Sequence, residues 1–204
     1  MATVIETPTG PGHLHVHEAE GVERGTIVLG HGAGGREHTP DALALAQCLP
    51  LDGWRTVLVD MPWRVAGRKV APAPATLDRG WIPLVAAAKG ASGLLVVGGR
   101  SAGARVACRG AQVVGADAVV CLSFPLHPPG RPERSRAGEM VLPVDRGLPV
   151  LVVQGRRDPF GTPEEVRAAA PSAVDVVPVS AAHGAPKDLD EVILPVRAFL
   201  AELG

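Results

Sequence analysis

Continuous apolar runs alternate along this chain with stretches of helical spacing. Six short runs rich in Val, Ile and Leu cover residues 26–29, 55–59, 94–97, 118–122, 150–153 and 174–179. Unbroken apolar character is what a strand needs when helices cover both faces of its sheet. The runs therefore predict a mostly parallel sheet. Residues 13–18 alternate instead between polar and apolar side chains, which predicts a half-exposed antiparallel edge strand.

Helix signals fill the intervals between the runs. Residues 39–41 (Thr-Pro-Asp) and 162–165 (Thr-Pro-Glu-Glu) each combine an N-cap residue, a first-turn proline and an early acid. Further helices are predicted over 80–89, 102–114 and 189–200, the last kinked or divided at Pro195. The Pro- and Gly-rich stretch 123–147 is predicted to be irregular. Strand and helix in alternation predict an α/β fold with helices on both faces of the sheet.

The composition favours a globular domain and argues against several other classes of protein. The 204 residues are 46% hydrophobic with a formal net charge of −1, so we expect a single domain over residues 1–204 with a sizeable core. Such a charge argues against nucleic acid or an anionic membrane as a partner. We see no signal peptide and no apolar run of membrane-spanning length, and so expect a cytoplasmic protein. The three cysteines show no CxxC spacing, which argues against a disulfide framework or a zinc knuckle.

Residues 99–103 read Gly-Arg-Ser-Ala-Gly, the pattern G-x-S-x-G, directly after one predicted strand and before a predicted helix. A sharp strand-to-helix turn lifts the central serine clear of the sheet, and the glycines allow close backbone approach. Ser101 is therefore a candidate nucleophile, and the Ala102 N–H is aimed at a developing oxyanion. The competing interpretation is a tight Gly-rich turn with an incidental serine.

A serine hydroxyl needs a base to take its proton and an acid to hold that base. Asp158 follows the run 150–153, and His183 follows the run 174–179. All three candidates thus fall at the C-terminal ends of predicted parallel strands, where open α/β sheets form their crevice. Their order, Ser then Asp then His, is that of α/β-hydrolases. Taken singly, His183 is equally well a loop histidine and Asp158 a turn acid.

An oxyanion hole needs a second backbone donor, and the segment 29–35 (Leu-Gly-His-Gly-Ala-Gly-Gly) is the candidate. We expect the donor to be Ala33, with Gly34 as the alternative. A phosphate-binding loop is the competing hypothesis, because small residues before a helix also suit an anion. The pattern GxxxxGK[ST] is absent, which makes that hypothesis weaker.

Three segments carry a resemblance to a known family: residues 98–107, 124–130 and 154–161. They resemble the small dienelactone-hydrolase-like branch of α/β-hydrolases, which includes predicted bacterial hydrolases, a testis-expressed protein and the hydrolase-like domain of a chromatin-complex subunit. The resemblance covers roughly residues 25–200. It implies an α/β-hydrolase core without a cap domain and Ser101, Asp158 and His183 as the triad. True dienelactone hydrolases have Cys where Ser101 stands, so their lactone chemistry does not carry over.

The resulting hypothesis is a serine hydrolase that cleaves an ester, thioester or similar acyl bond of a small molecule, without a metal or organic cofactor. The alternative is a non-catalytic interaction module that keeps the fold. His31, Arg100 and His127 are candidate substrate-binding residues, although a structural hydrogen bond is the favoured role for each of the two histidines. Three histidines at positions 13, 15 and 17 share one face of the first strand; solvent exposure explains them more simply than a metal does.

Overall fold

In the part of the chain that the structure describes, a single sheet of eight strands forms the centre. The computed structural model describes residues 2–34, 37–91 and 93–203. The strands are β1 (Thr3–Thr7), β2 (Gly10–His17), β3 (Gly25–Gly30), β4 (Trp54–Asp60), β5 (Leu94–Arg100), β6 (Ala118–Leu122), β7 (Val150–Gly155) and β8 (Val174–Val179). The α-helices are α1 (Pro40–Cys48), α2 (Pro62–Val65), α3 (Pro74–Ala88), α4 (Ala102–Val114), α5 (Ala137–Val144), α6 (Pro163–Ala169) and α7 (Asp190–Ala201).

The strand order is β1-β2-β4-β3-β5-β6-β7-β8. Strands β3 to β8 run parallel, as the continuous apolar runs predict, whereas β2 pairs antiparallel with β4. The expectation that the first histidine-bearing strand is an edge strand is wrong, because β1 pairs antiparallel with its outer side. Three of the five residues of β1 are exposed, so it carries little of the apolar signal that identifies a strand in a sequence.

Helices cover both faces of the sheet and produce two apolar cores. In β3 the side chain of Val28 packs into one core, and those of Ile27 and Leu29 pack into the other. The first core includes residues of α3, α4 and α5, and the second includes residues of α1 and α7. Alternate side chains of a central strand are thus buried on opposite faces, which explains why the run has no polar interruptions.

Three helices differ from their predictions. The stretch 123–147 is not irregular throughout, since α5 occupies Ala137–Val144. Helix α7 continues through Pro195 from Asp190 to Ala201. Pro195 is the sixth residue of that helix, so the backbone bond it cannot donate is the one to Glu191, in the first turn. Helix α3 begins at Pro74, earlier than predicted. None of the described helices is long and apolar enough to cross a membrane.

Candidate active site

The turn between β5 and α4 holds Ser101 in a conformation that few residues adopt. Its backbone angles are φ 52° and ψ −108°. A Cβ at Gly99 would lie 2.2 Å from the carbonyl oxygen of Gly30, and one at Gly103 would lie 2.3 Å from the same oxygen. The two glycines therefore let the end of β3 pack directly against the turn. Strain of this kind persists only where surrounding structure holds it in place.

Ser101, His183 and Asp158 form one chain of hydrogen bonds. The distance from Ser101 Oγ to His183 Nε2 is 2.8 Å, and that from His183 Nδ1 to Asp158 Oδ2 is also 2.8 Å. Since a carboxylate only accepts hydrogen bonds, Nδ1 carries the proton of a neutral His183 and Nε2 is free to accept from the serine hydroxyl. The structure thus brings together the three residues that the sequence singles out.

The carboxylate of Asp158 is fully buried and held from several sides. Its Oδ1 accepts a hydrogen bond of 2.8 Å from the backbone N–H of Phe160, and its Oδ2 accepts one of 3.1 Å from Gln154 Nε2. The same Gln154 nitrogen lies 2.7 Å from the carbonyl oxygen of Gly161. These contacts fix the direction in which Asp158 faces the imidazole.

The ring of Phe160 covers the imidazole of His183, with ring centroids 4.2 Å apart and planes 30° from parallel. Phe160 also lines the cleft beside Ser101. The sequence alone predicts no role for Phe160 or Gln154. Both lie in the segment 154–161 that carries the family resemblance, and this was the signal that could have identified them.

Arg100 reaches the same cleft, but its guanidinium is bonded to the protein. The side chain is buried; Nη1 donates to Ser123 Oγ at 2.8 Å and to the backbone carbonyl of His183 at 3.0 Å. Nη2 pairs with Asp41, a fully buried carboxylate in the first turn of α1. Ser123 itself has a positive φ of 53°. The structure thus ties Arg100 to the imidazole-bearing loop and to α1.

The segment 31–34, which we name the oxyanion loop, lines the cleft together with Ala102. A Cβ at Gly32 would lie 3.5 Å from Ser101 Cβ, so the backbone of this loop packs against the serine. Ala33 and Gly34, the two candidate donors, lie on the cleft wall. Gly35, the last residue of the segment singled out in the sequence, lies outside the described residues.

His31 is buried at the base of the oxyanion loop. Its Nδ1 lies 2.8 Å from the Gly32 carbonyl oxygen, and its Nε2 accepts a hydrogen bond of 3.0 Å from the backbone N–H of Met61. Burial, reinforced by the nearby Arg64 guanidinium, lowers the pKa of His31 to about 3. A neutral imidazole with both nitrogens bonded to backbone supports the loop and leaves no free polar atom for a ligand.

His127 is not brought to the cleft. Its Nδ1 lies 3.0 Å from the carbonyl oxygen of Pro128, and its Nε2 lies 3.6 Å from the carboxylate of Glu165 in α6. The residues lining the cleft do not include it. His127 thus stands apart from Ser101, His31 and Arg100, because the chain after β6 turns its side chain toward α6.

The cleft above Ser101 has a volume of about 500 Å³. Its walls away from the serine are largely apolar and come from the segment 71–77, from Pro125 and from Phe160. Arg64, Arg105 and Arg136 also reach it. A cavity of this size, with a few polar groups gathered at one end, has the form of a small-molecule site.

Solved structures with the same fold align with nearly the whole chain. Est1E from Butyrivibrio proteoclasticus, bound to ferulic acid, is 17% identical with a TM-score of 0.77, over 99% of this chain and 99% of that one. XC6422 from Xanthomonas campestris, described as an α/β serine hydrolase without lid, is 17% identical with a TM-score of 0.69, over 100% and 92%. Thermogutta terrifontis esterase 2, phosphonylated by cyclosarin, is 19% identical with a TM-score of 0.68, over 100% and 94%.

No curated protein matches the chain. The family comparison, in contrast, matches residues 23–191 to the alpha/beta hydrolase domain, and this range extends from just before β3 into α7. It includes Ser101, Asp158 and His183 together with the oxyanion loop. The chain belongs to the alpha/beta hydrolase domain family.

Proposed function

We propose that this protein is a serine hydrolase that cleaves an ester, thioester or similar acyl bond through an acyl-enzyme. The observation that carries the proposal is the continuous hydrogen-bonded chain from Ser101 Oγ through His183 to the buried Asp158, which opens on a cleft of about 500 Å³. Nucleophile, base and orienting acid are the three roles that acyl transfer by serine requires.

The reaction begins when Ser101 Oγ attacks the carbonyl carbon of the substrate and its proton passes to His183 Nε2. Asp158 stabilises the imidazolium that forms. The tetrahedral intermediate then collapses, and the leaving group departs with the proton from His183. Water, deprotonated by the same imidazole, attacks the acyl-serine and releases the acid. In this scheme Asp158 keeps its negative charge throughout.

The oxyanion is bound by the backbone N–H of Ala102, at the first turn of α4, and by that of Ala33 in the oxyanion loop. The tight packing of this loop against Ser101 supports the assignment. Donors of this kind contribute about 3–4 kcal/mol each to stabilisation of the transition state. Because His31 is neutral and bonded to backbone on both sides, its role is to hold this loop, and it does not take part in proton transfer.

We further propose a small, largely apolar acyl substrate, hydrolysed in the manner of a carboxylesterase. The apolar cleft walls support this class. Thermogutta terrifontis esterase 2 has the same fold, and ferulic acid is bound to Est1E, another structure of this fold. The dienelactone-hydrolase-like branch remains our assignment within the family. The rival proposal is a module that keeps the fold without turnover.

Hydrolysis of p-nitrophenyl esters of increasing acyl length tests both the activity and the size of the cleft. We expect turnover by the wild type, a loss of all but background rate in Ser101→Ala and His183→Ala, and little change in Ser180→Ala, which alters an exposed serine. Wild-type protein that is folded yet hydrolyses none of the esters would favour the non-catalytic module. Full activity in His183→Ala would mean that another residue is the base.

A further inference from the structure

Two imidazoles and a carboxylate converge beside the cleft without belonging to the hydrogen-bonded chain of Ser101. They are His15 on β2, His38 just before α1, and Asp60 at the end of β4. The Nε2 of His15 lies 2.7 Å from Asp60 Oδ2, and the Nε2 of His38 lies 3.1 Å from Asp60 Oδ1. One ligand atom from each residue lies within 4.8 Å of the other two. We name these three residues the His-His-Asp cluster.

The Nε2 of His38 faces Asp60 as an ion-pair partner but makes no well-directed hydrogen bond within the described residues. Its side chain is 11% exposed, and its Nε2 has no hydrogen-bond partner in the described part of the chain, although the Asp60 oxygen is only 3.1 Å away. The distance suits a hydrogen bond, so the direction is what fails. A nitrogen and an oxygen that approach closely without pointing at each other are arranged as two ligands are around a shared ion.

Arg64 completes the surroundings of the carboxylate. Its Nη1 donates to Asp60 Oδ1 at 3.0 Å, and its Nη2 donates to the Glu37 carbonyl oxygen at 3.1 Å. Carboxylates that bind metals are commonly oriented by such an outer hydrogen bond. Arg64 offsets the charge of Asp60, which lowers the attraction for hard cations such as Ca²⁺ and Mg²⁺. It does not occupy Oδ2, the oxygen that faces His15.

From this geometry we propose that the His-His-Asp cluster is a binding site for a divalent transition-metal ion of the Zn²⁺ or Co²⁺ type. Imidazole nitrogens with one carboxylate are a donor set that these ions favour. Zn²⁺ binds such ligands at about 2.0–2.2 Å, which places neighbouring ligand atoms about 3.4 Å apart in a tetrahedral site. His15 Nε2 and Asp60 Oδ2 are now hydrogen-bonded at 2.7 Å, so the ion would replace that bond, and the separations of 2.7 and 3.1 Å would open by several tenths of an ångström.

A bound ion would join three parts of the fold that are distant in sequence: β2, the end of β4, and the segment that precedes α1. His38 and Arg64 also line the cleft, so the site lies in the cleft wall, separate from Ser101. Its protein ligands number three, which leaves at least one coordination position for water. The proposed hydrolysis does not use this ion, so the proposal of a metal site does not depend on that activity.

Titration of chelator-treated protein with Co²⁺ tests the site, since Co²⁺ bound by nitrogen and oxygen ligands absorbs visible light. We expect saturable binding of a single ion per chain, displacement of its spectrum by Zn²⁺, and a rise in the thermal midpoint with Zn²⁺ because the ion binds the folded state. Absence of saturable binding by the wild type would overturn the proposal.

Variants identify the ligands. In His38→Gln and Asp60→Asn we expect Co²⁺ affinity to fall by at least about tenfold. His13→Gln is the matched control, because His13 lies on the same face of β2 as His15 but outside the cluster. Asp60 also binds Arg64, so Asp60→Asn could fail to fold for a reason unrelated to the metal. In that case His38→Gln alone tests the ligand assignment. Wild-type affinity in His38→Gln, or an equal loss in His13→Gln, would contradict the assigned ligands.

Discussion

The backbone carbonyl of His183 accepts a hydrogen bond of 3.0 Å from Arg100, the residue that precedes Ser101 in the chain. One guanidinium therefore links the turn that carries the proposed nucleophile to the loop that carries the proposed base. Its other partners are Ser123 and the fully buried Asp41. The distance between Ser101 and His183 thus depends on a buried ion pair as well as on their own hydrogen bond.

Loss of this ion pair should destabilise the protein strongly. Replacing Arg100 with Met leaves the Asp41 carboxylate buried without its partner, so we expect the free energy of unfolding to fall by about 3–5 kcal/mol. Urea denaturation measures the change. The control Arg156→Met alters an exposed arginine and should shift it by no more than about 0.5 kcal/mol.

Removing both charges separates stability from positioning. In the double variant with Asp41→Leu we expect much of the stability to return, because no charge is left buried alone. The value of kcat should nevertheless stay low, since the loop of His183 has lost its anchor. If Arg100→Met is as stable as the wild type, or if the double variant keeps full kcat, Arg100 does not have the proposed role in stability and in positioning the loop of His183.

Asp158→Asn should leave the fold intact and lower kcat by about 10⁴-fold, the cost of presenting His183 in the wrong tautomer. The amide has one acceptor oxygen where the carboxylate serves His183, Gln154 and the Phe160 N–H. Rates with a p-nitrophenyl ester provide the measurement. Asp175→Asn on β8, where the side chain is exposed, should be without effect. Comparable loss in both variants would count against a specific role for Asp158.

The backbone conformation of Ser101 predicts a gain in stability on replacement by glycine. At φ 52° and ψ −108° any residue with a Cβ is strained, whereas glycine is not. Ser101→Gly and Ser101→Ala both lack the hydroxyl, so their difference isolates the strain. We expect the glycine variant to be more stable by about 1 kcal/mol in urea denaturation. An alanine variant of equal or greater stability would show that the turn is not strained.

The ion pairs of Glu139 predict a pH-dependent contribution to stability. Burial alone would raise the pKa of Glu139, but hydrogen bonds and charge from Arg105 and Arg109 outweigh it, and the net pKa lies below the ordinary value. A carboxyl with a depressed folded-state pKa stabilises the protein above its unfolded pKa of 4.5, and that stability is lost as the pH falls.

Glu139→Gln should therefore unfold more easily than the wild type at pH 7, and the difference should shrink toward pH 3. Chemical denaturation at the two pH values measures both free energies. Glu133→Gln, which alters an exposed glutamate near the start of the same helix, is the matched control. A deficit that is the same at both pH values would mean that the charge of Glu139 makes no contribution.

The parallel sheet and the order of the three candidate residues could be predicted because each depends on local sequence. The run 118–122 coincides with the fully buried β6, since buried strands contain unbroken apolar residues; the run 174–179 coincides with β8 although Asp175 interrupts it. Strand β1 could not be predicted in this way: most of its residues are exposed, and what defines it is pairing with β2.

Which side chains contact each other in the folded protein could be predicted less well from the sequence. Arg100 is expected near the cleft from its position, but its ion pair with Asp41 requires the first turn of α1 to lie near the end of β5, which no spacing in the sequence reveals. The same holds for His15, His38 and Asp60, which are separated by tens of residues and meet only in the folded sheet. Phe160 takes its place over His183 because Asp158 fixes the turn that carries both Asp158 and Phe160.

The nucleophilic role of Ser101 is tested most directly by reaction with a fluorophosphonate, followed by digestion and mass spectrometry of the peptides. We predict one covalent adduct, on the peptide that contains Ser101, absent from Ser101→Ala and strongly reduced in His183→Ala. An adduct on a different residue, or no adduct on wild-type protein whose fold is verified by circular dichroism, would contradict the account.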